Sequence, residues 1–396
     1  MSDRKSKTDA RTALFQNPAL AACFADLDKA RHLPGYMYNS PEVFEAEKDI
    51  LFMRDWIVVG REDEIPNKGD YRTVEFAGES IVICRDNDGA LAAFVNSCRH
   101  RGAPVASGSG NLKTFDCPWH GWTYDLQGKL ISPHRPRQMQ AVDPELCRMP
   151  PLRIDSFGGF IFVNFDHSGP TLGEFLDVDG FRDEVSFLRS EELQTVHTYS
   201  YDIDANWKFV HETLADVYHV EIVHRSSFGN TAIGYKPQTT ADVKLTKYGS
   251  RKFYSSGTSA PDGVALFGPM PWLKDHPKGH LFAMSFYLRP NFAFFARCDM
   301  VQPWVALPLS PTRTRIAGWT CMPKEFTTAP AFKEKMALIS DYCLKQNSED
   351  KELILALQRG TRSRFYPQGQ LHELESLVHQ RVRGYLRAMT GDGDAR

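Results

Sequence analysis

Four side chains with metal-binding chemistry stand in two short, matching runs, Cys98-Arg99-His100-Arg101-Gly102 and Cys117-Pro118-Trp119-His120-Gly121-Trp122. Each run puts one thiol and one imidazole into a single tight loop. Two thiolates and two imidazoles suit either a tetrahedral zinc ion or a [2Fe-2S] cluster in which one iron takes both sulfurs and the other both nitrogens. The mixed pairing favours the cluster, because two facing loops of this kind can give their sulfurs to one iron and their nitrogens to the other. Zinc fingers instead pair Cys with Cys and His with His, and place the histidines on a helix. Gly102 and Gly121 allow backbone conformations that bring amides toward cluster sulfurs, and Pro118 stiffens the second loop. On these residues alone, a zinc-binding structural or interaction module stays open as the alternative.

A second set lies downstream. In the run from Asn206 to His219, Trp207, Val210, Leu214 and Val217 recur near helical spacing, so one face is core, while Asp216 and His219 share another. His224 follows His219 by five residues, about 140° further round an ideal helix, so the helix must end or bend between them for both imidazoles to meet one ion. Val220-Glu221-Ile222-Val223, largely β-branched, offers the place. Two histidines with a distant carboxylate form the facial set of non-heme Fe(II) oxygenases, which leaves positions free for oxygen and substrate. Taken alone, the pair is equally well explained as two polar histidines at a helix end.

With both sets on one chain, the sequence resembles the Rieske non-heme iron oxygenases, specifically the large (alpha) subunit of the aromatic-ring-hydroxylating enzymes, over nearly its whole length. The resemblance implies that Cys98, His100, Cys117 and His120 hold the Rieske [2Fe-2S] cluster. Asp216-x2-His219-x4-His224 after an Asn-Trp-Lys opening looks like the family's iron-binding segment, so His219, His224 and a downstream carboxylate are implied as ligands of a mononuclear Fe(II). Asp350, within Ser348-Glu349-Asp350-Lys351-Glu352-Leu353, is the best match for the third ligand, with Glu349 its nearest rival. The residues themselves also allow a plainer reading, in which Ser348 caps a helix and the acids complement its dipole. Asp216 is implied as the residue that orients a bound imidazole and bridges to His100 or His120 of a neighbouring subunit. That implies a ring of three subunits, with or without a small beta subunit. His197, His211, His276, His280, His372 and His379 carry no such spacing and read as surface or hydrogen-bonded histidines.

The implied activity is that of a terminal oxygenase, which uses O2 and electrons from NAD(P)H relayed by a separate reductase, with or without a ferredoxin. Gly108-Ser109-Gly110 lacks the third, helix-opening glycine of a dinucleotide site, so a partner must supply the electrons. The Asp216-Val217-Tyr218-His219-Val220 wording looks more like the members that hydroxylate aromatic acids, as in aromatic hydrocarbon catabolism. The alternative is a monooxygenase or demethylase of an N-methyl, O-methyl or quaternary-amine substrate. Tyr218 and Glu212 flank the iron segment, and the Phe-rich run from Phe282 to Phe295 suits an aromatic substrate, although a phenylalanine stripe on strands is more often plain core. A Rieske electron carrier, the non-oxygenase reading, would need neither the second set nor the rest of the chain.

These loops need rigid supports. Tyr71 to Phe76, Ser80 to Arg85 and Leu91 to Asn96 read as strands punctuated by turns, Thr123 to Leu130 as a hairpin, and Gly158 to Phe165 as a buried strand. Further on, Val196 to Ile203, Leu281 to Arg289, Asn291 to Arg297, Val301 to Leu307 and Thr314 to Met322 read as strands broken by Pro290, Pro303, Pro308 and Pro311. Helices are expected at Leu14 to Ala30, Pro41 to Phe52, Asn206 to His219, Phe332 to Cys343 and Glu349 to Arg359. The expected fold is α+β: a small all-β Rieske domain over 40–168 and a larger catalytic domain over 169–396. In the latter an antiparallel sheet is gripped by helices, with a helical segment over 1–39 packing on it.

Composition closes off other classes. The 47 basic and 49 acidic residues nearly cancel, so no global basic field gathers nucleic acid or anionic membrane. The N-terminal residues are charged and lead into no apolar core, which favours a cytoplasmic protein. The remaining cysteines, Cys23, Cys84, Cys147, Cys298, Cys321 and Cys343, show no pairing pattern and read as free thiols.

Overall fold

The computed structural model describes residues 14–135, 137, 142–143, 145–177, 180–227, 243–254, 265–277, 279 and 282–391. His280 and Leu281 lie outside the described residues. The chain divides into two compact units, Phe52–Phe175 and Met1–Leu51 with Leu176–Arg396.

The smaller unit is built from ten short strands in three antiparallel sheets. β1 (Ile57–Arg61), β10 (Phe160–Asn164) and β9 (Arg153–Phe157) form one. β4 (Leu91–Val95), β3 (Glu79–Arg85), β2 (Asp70–Phe76) and β5 (Ser109–Asn111) form the second, and β6 (Phe115–Asp116), β7 (Thr123–Tyr124) and β8 (Leu130–Ser132) the third. The β2–β3 hairpin closes on Ala77 and Gly78, both at positive φ (53° and 88°), the primed geometry that matches strand twist. Alternating apolar residues meet in a core around Val82, Phe94, Phe115, Tyr124 and Met149, and Cys98 and Cys117 belong to its edge.

The larger unit carries a seven-stranded antiparallel sheet: β11 (Leu193–Ile203), β17 (Arg313–Pro323), β16 (Val301–Ser310), β15 (Phe292–Arg297), β14 (Ala283–Leu288), β13 (Gly249–Phe253) and β12 (Val243–Leu245), in that order. Pro303 and Pro308 do not break it: both lie inside the ten-residue β16, Pro308 beside a register shift that absorbs its missing N–H. Phe286, Phe292 and Phe294 are buried, and Phe286 stacks on Phe294 with ring centroids 5.0 Å apart, so this phenylalanine run is core.

Five helices matter for the site: α1 (Pro41–Glu47), α2 (Trp207–Ala215), α3 (Val220–Val223), α4 (Phe332–Gly360) and α5 (Ser376–Thr390). α1, capped by Ser40, continues into a wider turn over Lys48–Phe52 and groups with the larger unit. Its buried Glu47 accepts from Lys208 Nζ (2.5 Å), Trp207 Nε1 (3.0 Å) and the Tyr385 hydroxyl (2.6 Å), which ties α1 to α2 and α5. Two expectations about helices need correction. Leu14 to Ala30 is not one helix, because Asn17 caps and Pro18 starts a separate 3-10 turn over Pro18–Phe24. The helices expected at 332–343 and 349–359 are one 29-residue helix, since nothing between them is Gly or Pro, and Ser348 bonds back to the Lys345 carbonyl rather than capping. α5 and β12–β13 went unread.

Candidate metal centres

The two cluster loops are near copies of each other. In the first, Gly102 N–H donates to the Cys98 carbonyl (2.8 Å) and Cys98 N–H to the Ala103 carbonyl (2.9 Å). In the second, Gly121 N–H donates to the Cys117 carbonyl (2.9 Å) and Cys117 N–H to the Trp122 carbonyl (2.8 Å). Gly102 and Gly121 sit at φ of 81° and 65°, where an L side chain is strained, so each turn needs its glycine. The thiols point inward and are buried, while His100 and His120 lie toward solvent with their Nδ1 atoms 3.2 Å apart.

This arrangement separates a cluster from a zinc ion. The two imidazole nitrogens are neighbours and the two thiols bear on each other, yet no three of the four donor atoms lie within 4.8 Å of one another. A single tetrahedral ion would draw all four together. Sulfur pair and nitrogen pair held apart is what two irons require. Burial raises the Cys98 thiol, against the Tyr124 hydroxyl (3.2 Å from Sγ) and the His100 amide, which favour the thiolate a metal needs. Sequence reasoning missed Tyr124, although a buried tyrosine must place its hydroxyl somewhere.

The second set also converges. α2 ends at Ala215, earlier than expected, because Asp216 leaves the helix and its Oδ1 accepts from the N–H groups of Tyr218 (2.7 Å) and His219 (3.3 Å). The expected bend at Val220–Val223 is instead a single turn, α3, flanked by His219 and His224. Asp350, in the middle of α4, brings Oδ1 to 3.5 Å from His219 Nε2 and 3.0 Å from His224 Nε2. Among the described residues these three form the one group of three or more His, Cys, Asp or Glu side chains whose donor atoms all lie within 4.8 Å.

The far side of each ring is also provided for. Asp216 Oδ2 stands 3.4 Å from His219 Nδ1, and Glu349 Oε2 stands 2.8 Å from His224 Nδ1. Glu349, the rival third ligand, therefore faces away from the convergence point and is fixed by the hydroxyls of Ser226 (2.5 Å) and Ser227 (2.7 Å). Burial opposes charging of His219, but Asp216 and Asp350 outweigh it and lift its pKa to about 9. The same contest raises His224. Two imidazoles sharing one carboxylate thus gather positive charge where a dication would supply it, and two nitrogens with one oxygen are the donor set of a facial Fe(II) site. Tyr218 is exposed and stacks on His372 (4.1 Å), and Glu212 accepts from the Tyr38 hydroxyl at 3.0 Å, so neither reaches the three donors as a ligand.

Glu349→Gln keeps the size of the side chain and removes the charge behind His224. We expect Fe(II) affinity to fall by about ten- to a hundredfold, read by metal titration of iron-free protein, with the cluster spectrum unchanged.

The chain matches two family models: the Rieske [2Fe-2S] domain over residues 55–144, and the ring hydroxylating alpha subunit (catalytic domain) over residues 190–391. The chain belongs to the Rieske oxygenase large subunits. It is 28% identical to the carnitine monooxygenase oxygenase subunit of Acinetobacter baumannii over 352 residues, 86% of this chain and 88% of that one. It is 30% identical to the 2-aminobenzenesulfonate 2,3-dioxygenase subunit alpha of an Alcaligenes species over 300 residues, 72% of this chain and 73% of that one. In fold it is similar to a quaternary ammonium Rieske monooxygenase, with a TM-score of 0.76 and 24% identity over 94% of this chain and 97% of that one. The enzyme is therefore a terminal oxygenase whose cofactors are a Rieske [2Fe-2S] cluster and a mononuclear iron, working with O2, an organic substrate and a reductase. Among the described residues no helix is long and apolar enough to cross a membrane.

Proposed function

We propose that Cys98, His100, Cys117 and His120 hold the cluster, that His219, His224 and Asp350 hold the mononuclear iron, and that the enzyme hydroxylates a small aromatic acid. The observation that carries the ligand assignment is the meeting of both imidazole Nε2 atoms on Asp350 Oδ1, with Asp216 and Glu349 behind the two rings. When bound, the iron supplies oxygen activation and the cluster supplies electrons that come from NAD(P)H through a separate reductase, with or without a ferredoxin. The chain's own part is to hold the rings. Glu349 accepts the Nδ1–H of His224 and the Asp216 carboxylate stands 3.4 Å behind His219 Nδ1, which favours the tautomers with Nε2 free, and the Asp216 turn sets the spacing of the two rings around α3. The two compact units, Phe52–Phe175 and Met1–Leu51 with Leu176–Arg396, keep the sites on separate frameworks. In a homotrimer Asp216 also reaches a cluster histidine, His100 or His120, of the neighbouring subunit.

Support for the aromatic acid comes from the relationship to an aminobenzenesulfonate dioxygenase and from Asp, rather than Glu, at position 216. The relationship to carnitine monooxygenase favours a second reading, oxidation of a quaternary amine. The test is oxygen uptake by the reduced enzyme with a surrogate reductase. Benzoate, salicylate and aminobenzenesulfonate are set against carnitine and choline. Turnover of an aromatic acid with hydroxylated product is expected; turnover confined to the amines would replace the aromatic reading with the second.

A further inference from the structure

Through His211, α2 faces a concentration of buried positive charge. Lys252 on β13 is 5% exposed, and its ammonium lies 5.3 Å from the centre of the Tyr254 ring. Arg381 on α5 donates from one terminal nitrogen to the His211 carbonyl (2.6 Å) and from the other to Ser250 Oγ (3.3 Å), over the Tyr287 ring at 4.4 Å. Among the described residues neither cation has a carboxylate within ion-pair distance, and Arg381 Nε is buried without a hydrogen bond. His211, on the same helix as the turn into Asp216, is 3% exposed with both ring nitrogens unpartnered. Such groups are costly to bury unless something satisfies them.

The neighbouring carboxylates do not supply the balance. Glu47 takes Lys208. Glu212 accepts from Tyr38, feels Lys208 and Arg381 at a distance, and is itself pushed toward its neutral form by burial. Asp216 acts on Lys252 electrostatically but is committed to His219 and to its own turn. Lys208, Lys252 and Arg381 thus face Glu47 and a Glu212 that burial pushes toward its neutral form, and positive charge is left over. Burial, helped by Arg381, pushes Lys252 down to about 8 and His211 down to about 3, so at neutral pH the lysine still carries its charge and the imidazole is a neutral donor.

We propose that Lys252 and Arg381, with the His211 imidazole, form an anion-recognising subsite that takes the carboxylate or sulfonate of the substrate. The two groups share the needed chemistry, a single negative charge spread over oxygens that accept from a lysine, a guanidinium and an imidazole N–H. Arg381 is bonded to His211 on α2, the helix that runs directly into the Asp216 turn, which puts the subsite beside the iron segment, so an anchored acid group would fix which atom of a small ring is presented for oxidation. A bare quaternary ammonium has no partner here. This inference rests on the oxygenase reading and narrows its substrate.

The test uses the intact, iron- and cluster-loaded enzyme, reduced and without O2, and measures binding calorimetrically for two matched pairs, benzoate with benzamide and benzenesulfonate with benzenesulfonamide. Wild type should bind at least one anion about tenfold or more tightly than its uncharged partner. Lys252→Met, checked for an unchanged cluster spectrum and iron content, should lose that preference. The proposal is overturned if no anion is preferred by wild type, or if folded Lys252→Met keeps the preference. Should Lys252→Met fail to fold, the wild-type comparison decides by itself. Oxygen uptake on the same samples separates the two readings: turnover of an aromatic substrate without anion preference removes the subsite alone, whereas anion preference with turnover confined to amines removes the aromatic-acid reading alone.

Discussion

Asp350→Ala protein should carry a full Rieske spectrum and turn over substrate more than about a hundredfold more slowly than wild type. The two outcomes separate because the proposed ligand sets share no residue and belong to different compact units of the chain. Asp350 stands between two imidazoles, and its Oδ1 is buried with no donor but those rings nearby. Its loss removes the one carboxylate among the described residues that meets both Nε2 atoms and leaves two histidines to hold a labile iron. The helix should survive, since alanine is the best helix former and Asp350 lies far from either end of α4. Iron content, cluster absorption and oxygen uptake on one preparation make the measurement. Wild-type turnover by Asp350→Ala, alongside a dead Glu349→Ala protein, would move the third ligand by one residue.

The part of the site that was legible in the sequence is the part fixed by short-range covalent spacing. Cys98 and His100, Cys117 and His120, and His219 and His224 each lie within one turn or loop, so residue type and separation nearly determine what they can share. Glycines at 102 and 121 were readable for the same reason, because only a backbone at positive φ closes those turns. Asp350 could be placed only by resemblance, since no local pattern says which distant carboxylate a helix will present to His219 and His224, more than a hundred residues upstream of it.

What escaped depended on tertiary choice. Ser348 looks like a helix cap, yet in a 29-residue helix its hydroxyl bonds back to Lys345 and the acids beside it face the site instead of the dipole. Helical spacing puts Asp216 in the last turn of a helix, whereas its side chain competes for the backbone N–H groups of Tyr218 and His219 and ends the helix early. The role of Glu349 behind His224 needs Ser226 and Ser227 from a different segment, and the Lys252–Arg381 pair needs β13 to lie against α5. The Pro303 and Pro308 strand was misread as broken because pairing partners on both sides of β16 outweigh two missing donors.

Asp216→Asn is the substitution with the largest expected effect at constant metal content. Asparagine keeps an oxygen that can accept from the Tyr218 and His219 amides, so the turn into α3 and the placement of His219 should persist. What changes is the atom facing His219 Nδ1, at 3.4 Å, from a charged acceptor to an amide donor. An iron-bound imidazole donates at Nδ1, and so does a cluster histidine at its outer nitrogen. A carboxylate can accept from both, while a carboxamide has one oxygen already engaged by the turn. We therefore expect iron affinity to fall by no more than about a hundredfold, low enough a cost that iron-saturated protein can be prepared. Electron passage between the proposed centres of neighbouring subunits should slow far more. Single-turnover kinetics on reduced, iron-saturated Asp216→Asn, following cluster oxidation with substrate and O2, makes the distinction. An empty iron site in every preparation would make Asp216 a ligand. Cluster oxidation at the wild-type rate, coupled to product, would rule out the bridge, and with it the reason within this chain for expecting one subunit to be catalytically incomplete.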